Sequence, residues 1–259
     1  MRLESTLRAK RDGGRKLLLP YMTGGLCDGW TDHVLAFADA GADAVEIGIP
    51  FSDPVMDGPT IQEASERALA AGITLEAILG ELRDIDAGVP LVAMTYVNLV
   101  FHMGYERFAS EAISCGINGV ILPDLPMEEL GEWEDIGADA GLETVLLASP
   151  LTPDGRLATL CERSRGFVYG VNLLGTTGER SSLADTSTVL ARRMKAVTDR
   201  PVVMGFGISN AALAREASVD ADGVVVASAL MRMRLDGASP EDLGAFVADL
   251  RAALDRTSD

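Results

Sequence analysis

Apolar residues fall into short runs along the chain, and each run is followed by a longer stretch in which apolar and polar residues recur at helical spacing. The runs are 17–22, 44–49, 91–96, 120–123, 144–148, 167–171, 202–206 and 223–227. Between them lie amphipathic segments such as DHVLAFADAGA (32–42), EASERALAAG (63–72), YERFASEAISCG (105–116) and TVLARRMKAVTD (188–199). Strand followed by helix, repeated eight times, predicts a parallel sheet closed into an α/β barrel of the (β/α)8 TIM type. An open doubly wound sheet would use fewer strands in this length and usually a Gly-rich loop after its first strand. Thr60 and Glu63 have capping-box spacing and predict a helix start right after the Asp57-Gly58-Pro59 turn. Ser239-Pro240-Glu241-Asp242 predicts the start of the last helix, with Pro at its first position and acids over its positive end. No linker, repeat or low-complexity stretch divides residues 1–259, so one domain is expected. The longest connections are 51–60 and 175–188, and long loops on one barrel face are where chemistry is normally placed.

Composition narrows the function class. The chain is 47% hydrophobic, yet it holds no run long enough for a membrane helix, and no apolar stretch follows the charged start. The expectation is a cytoplasmic enzyme without a membrane partner. Cys27, Cys115 and Cys161 are odd in number and widely spaced, as reduced thiols are. His33 and His102 form no metal-binding pattern, so no metal is expected. A net charge of −17 excludes nucleic acid as a partner, because binding a phosphodiester backbone calls for clustered cations. Lys10, Lys16 and Lys195 are the only lysines, and excess carboxylate with so little Lys suggests a protein adapted to concentrated salt.

Glu46 lies within a strand run whose alternation sends Val45, Ile47 and Ile49 toward the helices and leaves Ala44, Glu46 and Gly48 facing the barrel interior. Burial there favours the neutral carboxyl and raises its pKa toward the range useful for proton transfer. A structural Glu paired with a buried Arg is the competing explanation, but no Arg lies in any strand run. Asp57 follows shortly after the same strand, so the two carboxylates can converge on one mouth and divide acid–base and charge-stabilising roles. Asp53 and Asp57 also stand before Pro and Gly, as ordinary turn formers do. The last three strand runs end in 175–178 (Gly-Thr-Thr-Gly), 205–209 (Gly-Phe-Gly-Ile-Ser) and 227–229 (Ala-Ser-Ala). Glycines let backbone N–H groups approach an anion, and Ser228 adds a hydroxyl at a helix start. A phosphate site beside strands seven and eight is expected there, with the short stretch 228–234 as the extra helix that barrels use for it. Tyr169 lies in the sixth strand run, Tyr96 ends the third and Phe206 falls in the phosphate loop, where aromatics could sandwich a flat apolar group, although core packing is the commoner use.

The run Val45-Glu46-Ile47-Gly48-Ile49-Pro50-Phe51-Ser52-Asp53-Pro54, followed by Asp57-Gly58-Pro59-Thr60-Ile61-Gln62, strongly resembles the signature of the tryptophan synthase α subunit family. The resemblance continues in order through Met94-Thr95-Tyr96-Val97-Asn98, Pro123-Asp124-Leu125-Pro126, Tyr169 with Gly175, Thr177 and Gly178, and Gly205-Phe206-Gly207-Ile208-Ser209. It implies reversible retro-aldol cleavage of indole-3-glycerol phosphate to indole and glyceraldehyde 3-phosphate. By this resemblance Glu46 is the general acid/base, Asp57 accepts the indole N–H, and Tyr169 lines the site. Gly178, Gly207, Ala227 and Ser228 hold the phosphate, while Tyr96, Thr177 and Phe206 line the substrate pocket. Asp53, Pro54 and Met56 belong to the loop facing a partner. That partner is the β subunit in an α2β2 assembly, which carries pyridoxal phosphate; no cofactor is expected in this chain.

The sequence departs from the family pattern in four places, one of them Asn172 where Ser is common. Thr23-Gly24-Gly25-Leu26-Cys27-Asp28 stands where Thr-Ala-Gly-Asp-Pro is usual, and Met56 replaces a small residue. Ala227 replaces a Gly, which is tolerable where φ is negative and costly where it is positive. Three other functions compete. A stand-alone lyase would release free indole. An indole-3-glycerol phosphate synthase would need a catalytic lysine, and none lies in a strand run. A non-catalytic activator of the β subunit would not need Glu46 and Asp57.

Overall fold

A computed structural model describes residues 2–171, 180–205 and 207–256, the side chains of 180–185 excepted. Its strands are β1 (Leu17–Thr23), β2 (Val45–Gly48), β3 (Leu91–Met94), β4 (Ile117–Ile121), β5 (Glu143–Ala148), β6 (Val168–Val171), β7 (Val202–Gly205) and β8 (Gly223–Val226). Each pairs in parallel with the next, and β8 returns to pair with β1, so the sheet is the closed eight-stranded barrel that the alternating pattern predicts. The helices are α1 (Leu3–Asp12), α2 (Trp30–Asp39), α3 (Pro59–Ala70), α4 (Leu75–Arg83), α5 (Val97–Met103), α6 (Tyr105–Ser114), α7 (Gly131–Ala140), α8 (Asp154–Arg163), α9 (Arg180–Lys195), α10 (Ala211–Ser218), α11 (Ser228–Leu235) and α12 (Pro240–Asp255).

Strand alternation divides the core in two. Leu17, Leu19, Ala44, Val92, Ile121, Val145, Phe167, Tyr169, Val203 and Val225 fill the barrel, while Val45, Ile47 and Ile49 pack outward under the helices. The filling is closed from below by α1, which lies in the charged start of the chain. Its Leu3 and Leu7, one turn apart, are fully buried in the interior cluster. Room for Leu3 is made by Gly119 and Gly166, where an added Cβ would lie 2.6 Å from a Leu3 methyl.

Charged groups fasten the same end. Asp43, fully buried, is met by Lys10 at 3.0 Å, Arg15 at 2.8 Å and Arg251 at 3.1 Å, and accepts the Leu18 N–H at 2.9 Å. Lys195 binds both oxygens of Asp222, which also accepts the Val202 N–H, and Lys16 donates to the carbonyls of Ser218 and Ala221. All three lysines are thereby engaged at the strands' N-terminal ends, opposite the mouth.

Several boundaries differ from expectation. Helix α3 begins at Pro59 with Gly58 as an extended N-cap and no side-chain cap, so the Thr60 capping box does not form. Proline at the first helical position has its φ preset and lacks an N–H that would need a partner, which starts the helix one residue early. Glu63 turns instead to Arg67 at 2.6 Å and Arg232 at 2.8 Å. β3 ends at Met94, and Tyr96 is the N-cap of α5. The connection expected over 175–188 is helical from Arg180 onward; 172–179 lie outside the described residues. At α12 the expectation holds: Ser239 and Asp242 form a reciprocal capping box with Pro240 at the first position.

Candidate active site

Glu46 occupies the middle of β2 and points into the barrel, 1% exposed. Among the described residues no Arg or Lys forms an ion pair with it, and its Oε2 atom has no hydrogen-bond partner. The buried Glu–Arg pair is therefore absent there. Burial, and then the nearby charge of Asp57, pushes the Glu46 carboxyl up to about 8. It is a neutral acid at pH 7 that can give a proton and take it back.

Asp57 is held by the connection that leaves β2. The Tyr96 hydroxyl donates to its Oδ2 at 3.2 Å, and the Met56 N–H donates to that hydroxyl oxygen at 3.0 Å. Gln62 of α3 donates to the Asp57 carbonyl at 2.9 Å, and Phe51 stacks on Tyr96 with centroids 4.8 Å apart. Tyr96, expected as a pocket wall, is thus the hinge pin of this loop. Burial raises the Asp57 pKa to about 6, with the Tyr96 hydrogen bond opposing the rise. The two carboxyls consequently differ: Asp57 is mostly ionised at neutral pH while Glu46 keeps its proton.

Two phenols complete the polar interior. Tyr169 of β6 is 6% exposed and lies over Gly205 of β7, where a Cβ would come within 2.7 Å of its hydroxyl. Tyr21 of β1 lies over Gly48 of β2 in the same way, and any side chain at position 48 would collide with its hydroxyl. Burial drives both phenols well above their usual pKa, with the charges of Glu46 and Asp57 adding to the rise. Tyr21 escaped sequence reading. Its signal was parity, since positions 17, 19 and 21 of β1 alternate onto one face, on which the Tyr21 hydroxyl reaches Gly48.

Beyond β1, on the other flank from β3, β8 pairs in parallel with β7. Gly207 holds a left-handed φ of +58°, open to glycine without strain. Ser228 is the first residue of α11, which starts directly after β8, and its N-cap Ala227 has no side chain that can cap it, so the first amides of the helix are not met from the N-cap. Ala227 has φ −116°, so its methyl group is accommodated. Thr177, Gly178 and Phe206 lie outside the described residues. Asp53, Val55 and Met56 are exposed on the rim, and Pro54 is half-buried between them. Among the described residues no group of three His, Cys, Asp or Glu could hold a metal. His33 is instead buried on α2 and His102 is on α5.

Comparison with known proteins places this geometry. A family model described as tryptophan synthase alpha chain matches residues 7–244. The chain is 43% identical to the tryptophan synthase alpha chain of Xanthomonas euvesicatoria pv. vesicatoria, over 98% of this chain and 99% of that one. It is 41% identical to that of Streptomyces coelicolor, over 96% and 94%. Among solved structures, tryptophan synthase of Mycobacterium tuberculosis superposes with a TM-score of 0.90 at 36% identity, covering 98% of each chain. The alpha subunit from Legionella pneumophila gives 0.88 at 32%, again over 98% of each. Matched by this family's model over residues 7–244 and 43% identical to a relative along nearly the whole of both chains, the chain belongs to the tryptophan synthase alpha chain family.

Proposed function

We propose that Glu46 and Asp57 are the catalytic pair for the reaction of this family, the reversible cleavage of indole-3-glycerol phosphate to indole and glyceraldehyde 3-phosphate, with indole passed on to a β subunit. The observation that carries this reading is a neutral, unpartnered Glu46 buried beside an ionisable Asp57. Neutral Glu46 gives its proton to indole C3, and Asp57 accepts the indole N–H and stabilises the positive charge that the ring then carries. The resulting Glu46 carboxylate removes the proton of the adjacent glyceryl hydroxyl. The C–C bond breaks, its electron pair returns to the ring, and the hydroxyl carbon becomes the aldehyde. Proton numbers balance over the cycle, and the chemistry calls for no metal or organic cofactor in this chain. Pyridoxal phosphate is assigned to the partner.

Gly178, Gly207, Ala227 and Ser228 are the proposed phosphate cradle, with the α11 amides as donors. Tyr169, Tyr96, Thr177 and Phe206 are the proposed pocket. Asp53, Pro54 and Met56 are the proposed partner-facing loop, in an α2β2 assembly, and the whole of 1–259 acts as one domain in the cytoplasm. No helix among the described residues is long and apolar enough to cross a membrane. A lyase assay of Glu46→Gln tests the mechanism. Turnover is expected to fall on the order of 10²–10⁴-fold, and wild-type turnover would overturn it. Mixing with a β subunit should raise the rate; an unchanged rate and no co-elution would point to a stand-alone lyase.

A further inference from the structure

Among the described residues, an unused acceptor and an unused donor stand on neighbouring strands of the barrel. Glu46 Oε2 is buried with no partner. Tyr21, 4% exposed, stands opposite Glu46 in the parallel β1–β2 register, and both face into the barrel. Its phenol oxygen accepts a hydrogen bond from Thr23 Oγ1 at 3.4 Å, which leaves its own proton free to donate. Bare Gly48, directly beyond Glu46 on the same face, is the seat that lets the Tyr21 ring lie across β2.

We propose that Tyr21 is a positioning residue for the acid–base step, donating its hydroxyl proton in a hydrogen bond to the Glu46 carboxylate each time that carboxylate forms. The proposal rests on Glu46 being the general acid/base. When Glu46 delivers its proton, a bare carboxylate is left with which no Arg or Lys among the described residues pairs, and a buried anion needs a donor. The titratable groups around it are Asp57 from the β2 connection, Tyr21 from β1, Tyr96 after β3 and Tyr169 from β6. Asp57 repels the new charge, and Tyr96 is spent on Asp57. Tyr169 comes from the opposite side of the barrel and is seated on β7. Tyr21 alone among them sits on the strand that pairs with β2 at Glu46 itself.

The test reads Glu46 directly. Its carboxyl infrared band, assigned by its loss in Glu46→Gln, is titrated in the wild type, Tyr21→Phe and Tyr169→Phe. Phenylalanine keeps the ring on the Gly48 seat, and thermal melting checks that the fold is intact. Losing a donor to the carboxylate should weaken ionisation of Glu46 about tenfold in Tyr21→Phe, moving its titration upward by about one pH unit. The alkaline limb of kcat should move with it, and kcat should fall about tenfold with KM within about twofold. Tyr169→Phe should leave the titration in place. Superimposable curves for Tyr21→Phe and wild type, or a shift in Tyr169→Phe instead, would overturn the proposal. If Glu46→Gln keeps its lyase activity while Tyr21→Phe still shifts the band, the pairing stands and the catalytic reading of Glu46 falls.

Discussion

At the scale of single residues, one strand position decides the chemistry. Glu46 keeps its proton because alternation turns it inward, where no cation among the described residues pairs with it, and the same burial sets its working range. The proposed mechanism needs Asp57 ionised and Glu46 protonated, so kcat should be greatest between about 6 and about 8 and fall on either side. A pH–rate profile checks this. Stability carries the opposite signature to a salt-bridged acid. The folded state holds the Glu46 proton that the unfolded chain releases near 4.5, so this contribution is complete below that pH and is lost as pH rises toward about 8. Glu46→Gln should therefore melt a few degrees above wild type at pH 8.5, with the difference vanishing near pH 4.5. Glu46 and Asp57 were legible from the strand pattern and the turn after it. The pinning of Asp57 by Tyr96 was not, because it depends on a hydroxyl meeting a loop nearly forty positions away. Tyr21 was visible only as one apolar letter in a strand run, since parity says which way a side chain points and nothing about what it meets.

Elements follow their local sequence where local chemistry is decisive. Eight strands could be read because each is a short apolar run bounded by turns, and α12 because Ser239 and Asp242 cap each other. Helix α1 could not, because only two of its residues are buried and its remaining positions read as solvated charge. Its role comes from the cavity it closes. Leu3→Ala should destabilise the fold by about 2–5 kcal/mol in urea titration, leaving KM for indole-3-glycerol phosphate unchanged, since Leu3 lies at the end of the barrel away from the mouth. Asp43 ties α1, the segment before β1, and α12 to one carboxylate. Asp43→Ala strands three cations around a void and should cost about 3–5 kcal/mol, read from the same titration.

For the whole molecule, charge and closure matter more than any one contact. The net charge of −17 is distributed so that all three lysines serve the bottom of the barrel, which leaves carboxylates dominant over the rest of the surface. Repulsion of that size should be relieved by screening, so the melting temperature should climb as KCl is raised to about 1 M, where the Debye length is about 3 Å. A melting temperature highest in dilute buffer would exclude salt adaptation. Closure has a different consequence. Because β1 finds its second neighbour only in β8, the first strand made must wait for the last, some two hundred residues later. At about 5–20 residues per second, a ribosome leaves the open edge of an apolar strand unpaired for roughly ten to forty seconds. Unpaired edges recruit other strands, so the interval during translation, before any barrel exists, is when this protein is most exposed to aggregation and most in need of a chaperone.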